Sequence, residues 1–90
     1  MKEVPLESLP CEVQTTLDLI KTGRTLPYKK DGSIFKNLEK VLPVNALDYY
    51  REYTVPTPKT TNRGNRRLVI GKGGEVYYTD DHYNSFQKVI

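Results

Sequence analysis

The chain has 90 residues, of which 37% are hydrophobic and 28% charged, with 14 Lys plus Arg against 11 Asp plus Glu for a formal net charge of +3. That length leaves room for one modest core and excludes a second domain with a core of its own, so residues 1–90 are read as a single domain. No apolar run approaches the ~20 residues that cross a bilayer, which excludes a membrane-spanning role, and the lone Cys11 excludes an intrachain disulfide. The small positive excess favours a polyanionic partner without identifying one. The opening MKEVPLESLP lacks the apolar segment of a secretory signal, and this leaves the compartment undecided.

The first predicted element is a helix from Leu9 to Lys21. Leu9, Val13, Leu17 and Ile20 recur at helical spacing, Leu19 widens the stripe, and Glu12, Gln14, Asp18 and Lys21 fill the other faces. Ser8 is suited to cap it, Pro10 is tolerated in its first turn, and Gly23 is suited to end it. A turn follows at Asp31-Gly32. The stretch IFKNLEKVLP fits either a short helix or a strand and loop.

After it the period changes to two. YYREYTV predicts a strand with Tyr50, Glu52 and Thr54 on one face and Arg51, Tyr53 and Val55 on the other. Pro56 and Pro58 end it or hold it at an edge. RRLVI predicts a second strand, with Arg67 and Val69 facing opposite to Arg66, Leu68 and Ile70. GKGG supplies a turn, EVYYT a third strand and SFQKVI a last edge strand. The fold class is α+β, an N-terminal helix packed on a small twisted antiparallel sheet.

GKGG lacks the long GxxxxGK[ST] spacing of a phosphate loop, so it reads as a connection between strands. One histidine, a distant cysteine and scattered acids make no metal-ligand cluster, and neither a metal nor a cofactor is expected. Three features carry chemistry. NRGNRR brings Arg63, Arg66 and Arg67 together with no acid among them. Glu52 lies inside a strand, and His82 sits beside Asp80, Asp81 and Tyr83. Each has an ordinary structural use, as a solvated turn, a cross-strand ion pair and an exposed turn histidine. Together they are what cleavage of an RNA phosphodiester requires. Glu52 would accept the 2′-hydroxyl proton and His82 would protonate the departing 5′-oxygen, while Arg63 and Arg67 stabilise the charge developing at phosphorus. The same aromatic and basic residues would also suit a module that binds RNA or protein without turnover, or a structural domain in which Glu52 and Arg67 merely pair.

The segments PYKKDGSIFKNLE (27–39), YYREYTV (49–55), RGNRR (63–67) and YYTDDHY (77–83), preceded by LPCEVQTTLDLI (9–20), resemble the small microbial guanyl-specific ribonucleases. This is the barnase-like group, and the likeness is to its streptomycete-type branch. The resemblance implies a helix against a twisted antiparallel sheet whose face is the active site. It also implies cleavage of single-stranded RNA after guanosine, by transesterification to a 2′,3′-cyclic phosphate and then hydrolysis. It assigns Glu52 as general base, His82 as general acid, Arg63 and Arg67 as phosphate-binding arginines, and Tyr83 as the residue that orders the phosphate. In the base loop it implies that Glu39 accepts from guanine N1–H and the exocyclic amine. The backbone of Lys36, Asn37 and Leu38 would read O6 and N7, with Phe35 lining the pocket.

Lys36 and Leu38 depart from the family pattern, which bears on subsite affinity and on the tuning of Glu52. Secreted relatives staple the N-terminal strand to the C-terminus with a disulfide. This chain has neither partner, which predicts frayed ends and stability lower by a disulfide's usual ~2–4 kcal/mol. The family also implies secretion or an acidic barstar-like inhibitor protein, and a monomeric state is expected. The missing disulfide and absent signal fit a toxin domain cut from a larger effector, an engineered variant, or a mature secreted chain with a start codon restored. Asp80 and Asp81 are expected to shape the histidine loop and the proton affinity of the imidazole.

Overall fold

The computed structural model describes residues 1–23, 26, 28–59 and 62–90. Pro27, which opens the PYKKDG motif, lies outside them. Among the described residues six strands form one sheet: β1 (Lys2–Val4), β2 (Ser33–Phe35), β3 (Tyr50–Thr54), β4 (Arg67–Gly71), β5 (Val76–Thr79) and β6 (Gln87–Val89). Their order across the sheet is β1-β6-β5-β4-β3-β2, antiparallel throughout except for the parallel β1–β6 pair. The helix α1 (Cys11–Thr22) follows a short 3₁₀ turn at Leu6–Ser8.

α1 forms where its apolar spacing predicts. Val13 and Leu17 are buried against Val55, Leu68 and Tyr78, with Leu6, Leu9, Tyr53 and Ile70 packed around them. Burying each such Leu or Val contributes about 1.5–3 kcal/mol. Gly23 ends the helix with φ 68°, left-handed geometry that costs glycine little, and its N–H reaches the Ile20 carbonyl. Ser8 does not cap the helix. Its hydroxyl donates to the Pro5 carbonyl inside the 3₁₀ turn, and Pro10 occupies the cap position, where its missing N–H costs nothing.

A further expectation is corrected and an open alternative is settled. SFQKVI is an interior strand rather than an edge, because Lys2–Val4 adds a strand outside it and the Ile90 N–H donates to the Val4 carbonyl at 2.9 Å. The ends of the chain are therefore hydrogen-bonded together instead of frayed. IFKNLEKVLP resolves as the edge strand β2 followed by a loop, since Ser33, Ile34 and Phe35 pair with Glu52, Arg51 and Tyr50.

The period-two reading of the strands holds. Tyr53, Val55, Leu68 and Tyr78 face α1, whereas Tyr50, Val69 and Tyr77 face away and bury Leu42 and Phe86 in a second cluster. The hairpin after β4 is closed by the Gly71 N–H to the Glu75 carbonyl. A side chain at Gly73 would lie 2.8 Å from the Tyr49 hydroxyl, which itself donates to Glu75 Oε2 at 2.6 Å. Thus GKGG is a turn, fitted to an aromatic neighbour rather than to a phosphate.

Candidate active site

The sheet face opposite α1 carries Glu52 and Arg67. Its cross-strand rows place Thr54 opposite Arg67 and Arg67 opposite Thr79 at one end, with Glu52 opposite Val69 in the row beside. Thr54, Arg67 and Thr79 are each 2–3% exposed. A buried guanidinium requires acceptors. Arg67 Nη1 donates to the carbonyls of Gly64 (3.0 Å) and Arg66 (2.8 Å), leaving Nε buried without a hydrogen-bond partner.

The other two arginines of NRGNRR are used differently. Arg66, one residue away, points to the helix side and pairs with Glu12 of α1 at 3.5 Å. Arg63 donates from Nε and Nη2 to Thr54 Oγ1 at 2.9 and 2.6 Å, and its guanidinium lies 5.6 Å from the centroid of the Tyr28 ring. The two ion pairs among the described residues are Arg66–Glu12 and Lys72–Asp48, so Glu52 and Arg67 are not a structural cross-strand pair.

Glu52 is instead reached by Tyr83, whose hydroxyl donates to Oε1 at 3.0 Å. Burial pushes the Tyr83 phenol up to about 12, helped by the Glu52 charge and this hydrogen bond, while Arg67 and Arg63 oppose the rise. Tyr83 therefore keeps its proton and remains a donor, and one side chain feels Glu52 and both arginines.

His82 is exposed, with its ring 4.9 Å from that of Tyr83. Both residues have left-handed backbones, φ 56° and 75°, which cost about 1–2 kcal/mol each for residues other than glycine. The strain is offset by tethers. The His82 N–H donates to the Asn65 carbonyl (3.1 Å) and the Tyr83 N–H to Thr79 Oγ1 (3.2 Å). Asp81 accepts from the Ser85 and Thr79 hydroxyls and the Ser85 N–H, which holds its carboxyl down at about 2. Asp81 thus shapes the loop, as expected. Its carboxylate is turned toward Thr79 and Ser85.

The low Asp81 value has a consequence for stability. A carboxyl depressed on folding contributes stability that is complete above its unfolded value of 3.8 and is lost as pH falls toward 2. Asp81→Asn is expected to lower Tm by about 4–8 °C at pH 7, the shift that ~1 kcal/mol makes in a domain of this size. The gap from the parent protein should narrow from pH 4 downward. Thermal melts with a gap independent of pH would contradict this.

The base loop starts at Phe35, which packs 5.0 Å from Tyr83 and 5.9 Å from Phe86. Asn37 and Lys40 are left-handed, the Lys40 N–H donates to the Asn37 carbonyl, and the Asn37 amide exchanges hydrogen bonds with the Leu42 backbone at 2.9 and 3.1 Å. The Asn37 side chain is thereby committed to closing the loop. Leu38 and Glu39 are left exposed at the surface. Phe35, Lys36, Asn37, Leu38 and Glu39 line a cleft of about 250 Å³ together with His82 and Tyr83. The structure therefore brings the base loop and the histidine loop to one cavity. Val41 and Asn84 complete its wall and were not singled out from the sequence, where neither has a chemical signature. Thr54 and Thr79 were also missed as site residues, because threonine in a strand reads as an ordinary β-former.

The model of the ribonuclease family matches residues 1–90. The chain is 49% identical to guanyl-specific ribonuclease St of Saccharopolyspora erythraea, over 99% of this chain and 88% of that one. It is 46% identical to guanyl-specific ribonuclease Sa of Kitasatospora aureofaciens, over 96% of this chain and 91% of that one. Among solved structures, ribonuclease Sa2 complexed with mononucleotides superposes with a TM-score of 0.97 at 42% identity, covering 100% of this chain and 94% of the other. The same ribonuclease with guanosine-2′-cyclophosphate gives 0.94 at 42% identity, covering 100% and 96%.

Proposed function

The chain belongs to the guanyl-specific ribonuclease family, and from that premise we propose which of its side chains carry each step of metal-independent RNA cleavage at guanosine. Glu52, as the carboxylate, takes the 2′-hydroxyl proton while the 2′-oxygen attacks phosphorus. His82, as the imidazolium, gives a proton to the departing 5′-oxygen, and a 2′,3′-cyclic phosphate forms. In hydrolysis the roles reverse, with His82 taking a proton from water and Glu52 returning one to the 2′-oxygen. Arg63 and Arg67 stabilise the negative charge gathering on the phosphate oxygens, and Tyr83 orders that phosphate while steadying Glu52.

The observation that carries this reading is the Tyr83–Glu52 hydrogen bond, on a phenol that both arginine charges reach, beside His82 at the cleft.

Guanine enters the cleft against Phe35. The Glu39 carboxylate accepts from N1–H and the 2-amino group, and the backbone of Lys36, Asn37 and Leu38 meets O6 and N7. Adenine lacks that donor pair and would leave Glu39 desolvated and unpaired. Glu39→Gln is expected to lower the GpC over ApC ratio of kcat/KM at least ~10²-fold with Tm unchanged. Cleavage of GpN dinucleotides in EDTA tests the assignment as a whole. An unchanged GpC/ApC ratio in the variant would refute the role of Glu39, and no GpN cleavage in EDTA would refute the larger reading.

Residues 1–90 act as one monomeric domain on single-stranded RNA. Such an activity endangers the RNA of its own cell. Secretion, or release as a toxin domain, would separate the two, and so would an acidic barstar-like inhibitor laid over the basic site. An inhibitor of that kind should bind with salt-sensitive association and should lose affinity when Arg63 or Arg67 is neutralised.

A further inference from the structure

The three arginines between residues 63 and 67 are anchored by three chemistries: a carboxylate for Arg66, backbone carbonyls for Arg67, and a hydroxyl for Arg63. The hydroxyl is Thr54 Oγ1, 2% exposed, which accepts from Arg63 Nε at 2.9 Å and Nη2 at 2.6 Å. Thr54 is itself fixed, since its N–H donates to Asp31 Oδ1 at 2.7 Å and its strand position is paired with Arg67. Among the described residues the Arg63 guanidinium also lies 5.6 Å from the centroid of the Tyr28 ring. Both contacts are with uncharged groups. A neutral acceptor orients the planar fork without cancelling its charge, whereas a carboxylate would hold it equally well and offset the field it sends toward an anion.

We propose that Thr54, with Tyr28 beneath the same guanidinium, is a positioning residue of the cleavage reaction, holding the Arg63 cation in one orientation with its charge available to the transition state. The inference rests on the assignment of Arg63 to phosphate stabilisation. Thr79 does the corresponding task on the other side of Arg67 for the histidine loop, so the buried threonine at each end of that row ties down one wall of the site.

Thr54→Val keeps the β-branched shape and removes the acceptor, and Thr54→Ser keeps the hydroxyl. On GpC, Thr54→Val is expected to lower kcat about 10–100-fold with KM changed less than about 3-fold, and Thr54→Ser to restore kcat to within about 3-fold. Against an Arg63→Ala background, Thr54→Val should cost less than about 2-fold more, because there is no guanidinium left to orient. Should Thr54→Val fail to fold, Tyr28→Leu reports on the same clamp. It is expected to lower kcat about 2–5-fold in the parent protein and not in Arg63→Ala. Equal losses with and without Arg63 would show that Thr54 serves only the fold, overturning the proposal while Arg63 keeps its role. An Arg63→Ala variant with unchanged kcat would remove the assignment of Arg63 and this inference with it.

Discussion

Glu52→Gln is expected to lower kcat/KM for GpN cleavage about 10²–10⁴-fold, the span that a positioned general base supplies, while the protein stays folded. The two halves of that expectation have separate causes. Glutamine presents a carbonyl oxygen where the carboxylate accepts from Tyr83 at 3.0 Å, so the contact that fixes the histidine loop to β3 survives. Its amide does not take a proton from the 2′-hydroxyl, so the attacking oxygen loses its base. Initial rates on GpC and a thermal melt of the same sample separate these effects. A variant as active as its parent would remove Glu52 from the mechanism, and one that melts far lower would leave the carboxylate a structural role instead.

Substitution of His82 should be comparably damaging, about 10²–10⁴-fold in kcat/KM, and should also change the shape of the pH profile. In the parent protein a bell-shaped profile is the expected result, as for any reaction that needs one group as base and another as acid. Removing the imidazole should abolish the alkaline limb and leave the acid limb in place. His82→Asn is a cleaner test than His82→Ala, because His82 has φ 56° and asparagine adopts left-handed backbone more readily than alanine. Asp81, Thr79 and Asn65 then continue to hold the loop. An alkaline limb that persists in His82→Asn would assign it to another group.

Local pattern made much of the fold legible. Val13 and Leu17 recur one helical turn apart and are buried on one side of α1, and the glycine at 23 takes the left-handed geometry that ends it. Alternation in YYREYTV and RRLVI sorted Tyr53 and Leu68 from Tyr50 and Val69 correctly. β1 was not legible, because KEV has no period of its own and becomes a strand only by pairing with Gln87–Val89 at the far end of the chain. The same gap made β6 look like an edge. Ser8 was misplaced as a helix cap because serine before a helical stripe fits both a cap and a 3₁₀ turn, and the Pro5 carbonyl decided between them. The helix-or-strand ambiguity after Gly32 was settled by β3, whose edge supplies hydrogen-bond partners that a local window does not contain.

For the site, the residue types came from the sequence, and their roles came from chemistry joined to a family likeness. A carboxylate, an imidazole and a cluster of guanidinium groups limit the chemistry a site can offer, and their arrangement decides which of it is used. Which arginine does which task was decided in three dimensions. Neighbouring strand residues face opposite sides of a sheet, so Arg66 and Arg67 had to part, but the location of α1 determined which of them met Glu12 and which was buried between Thr54 and Thr79. Likewise, Phe35 and Tyr83 lie far apart in the chain and 5.0 Å apart in the fold, and that contact joins the base loop to the histidine loop. The sequence by itself determined the local periods and the chemical inventory, because both reside in side chains and their spacing. Tertiary structure alone decided the pairing of distant segments, since backbone groups find partners, and buried charges find acceptors, only once the sheet has closed.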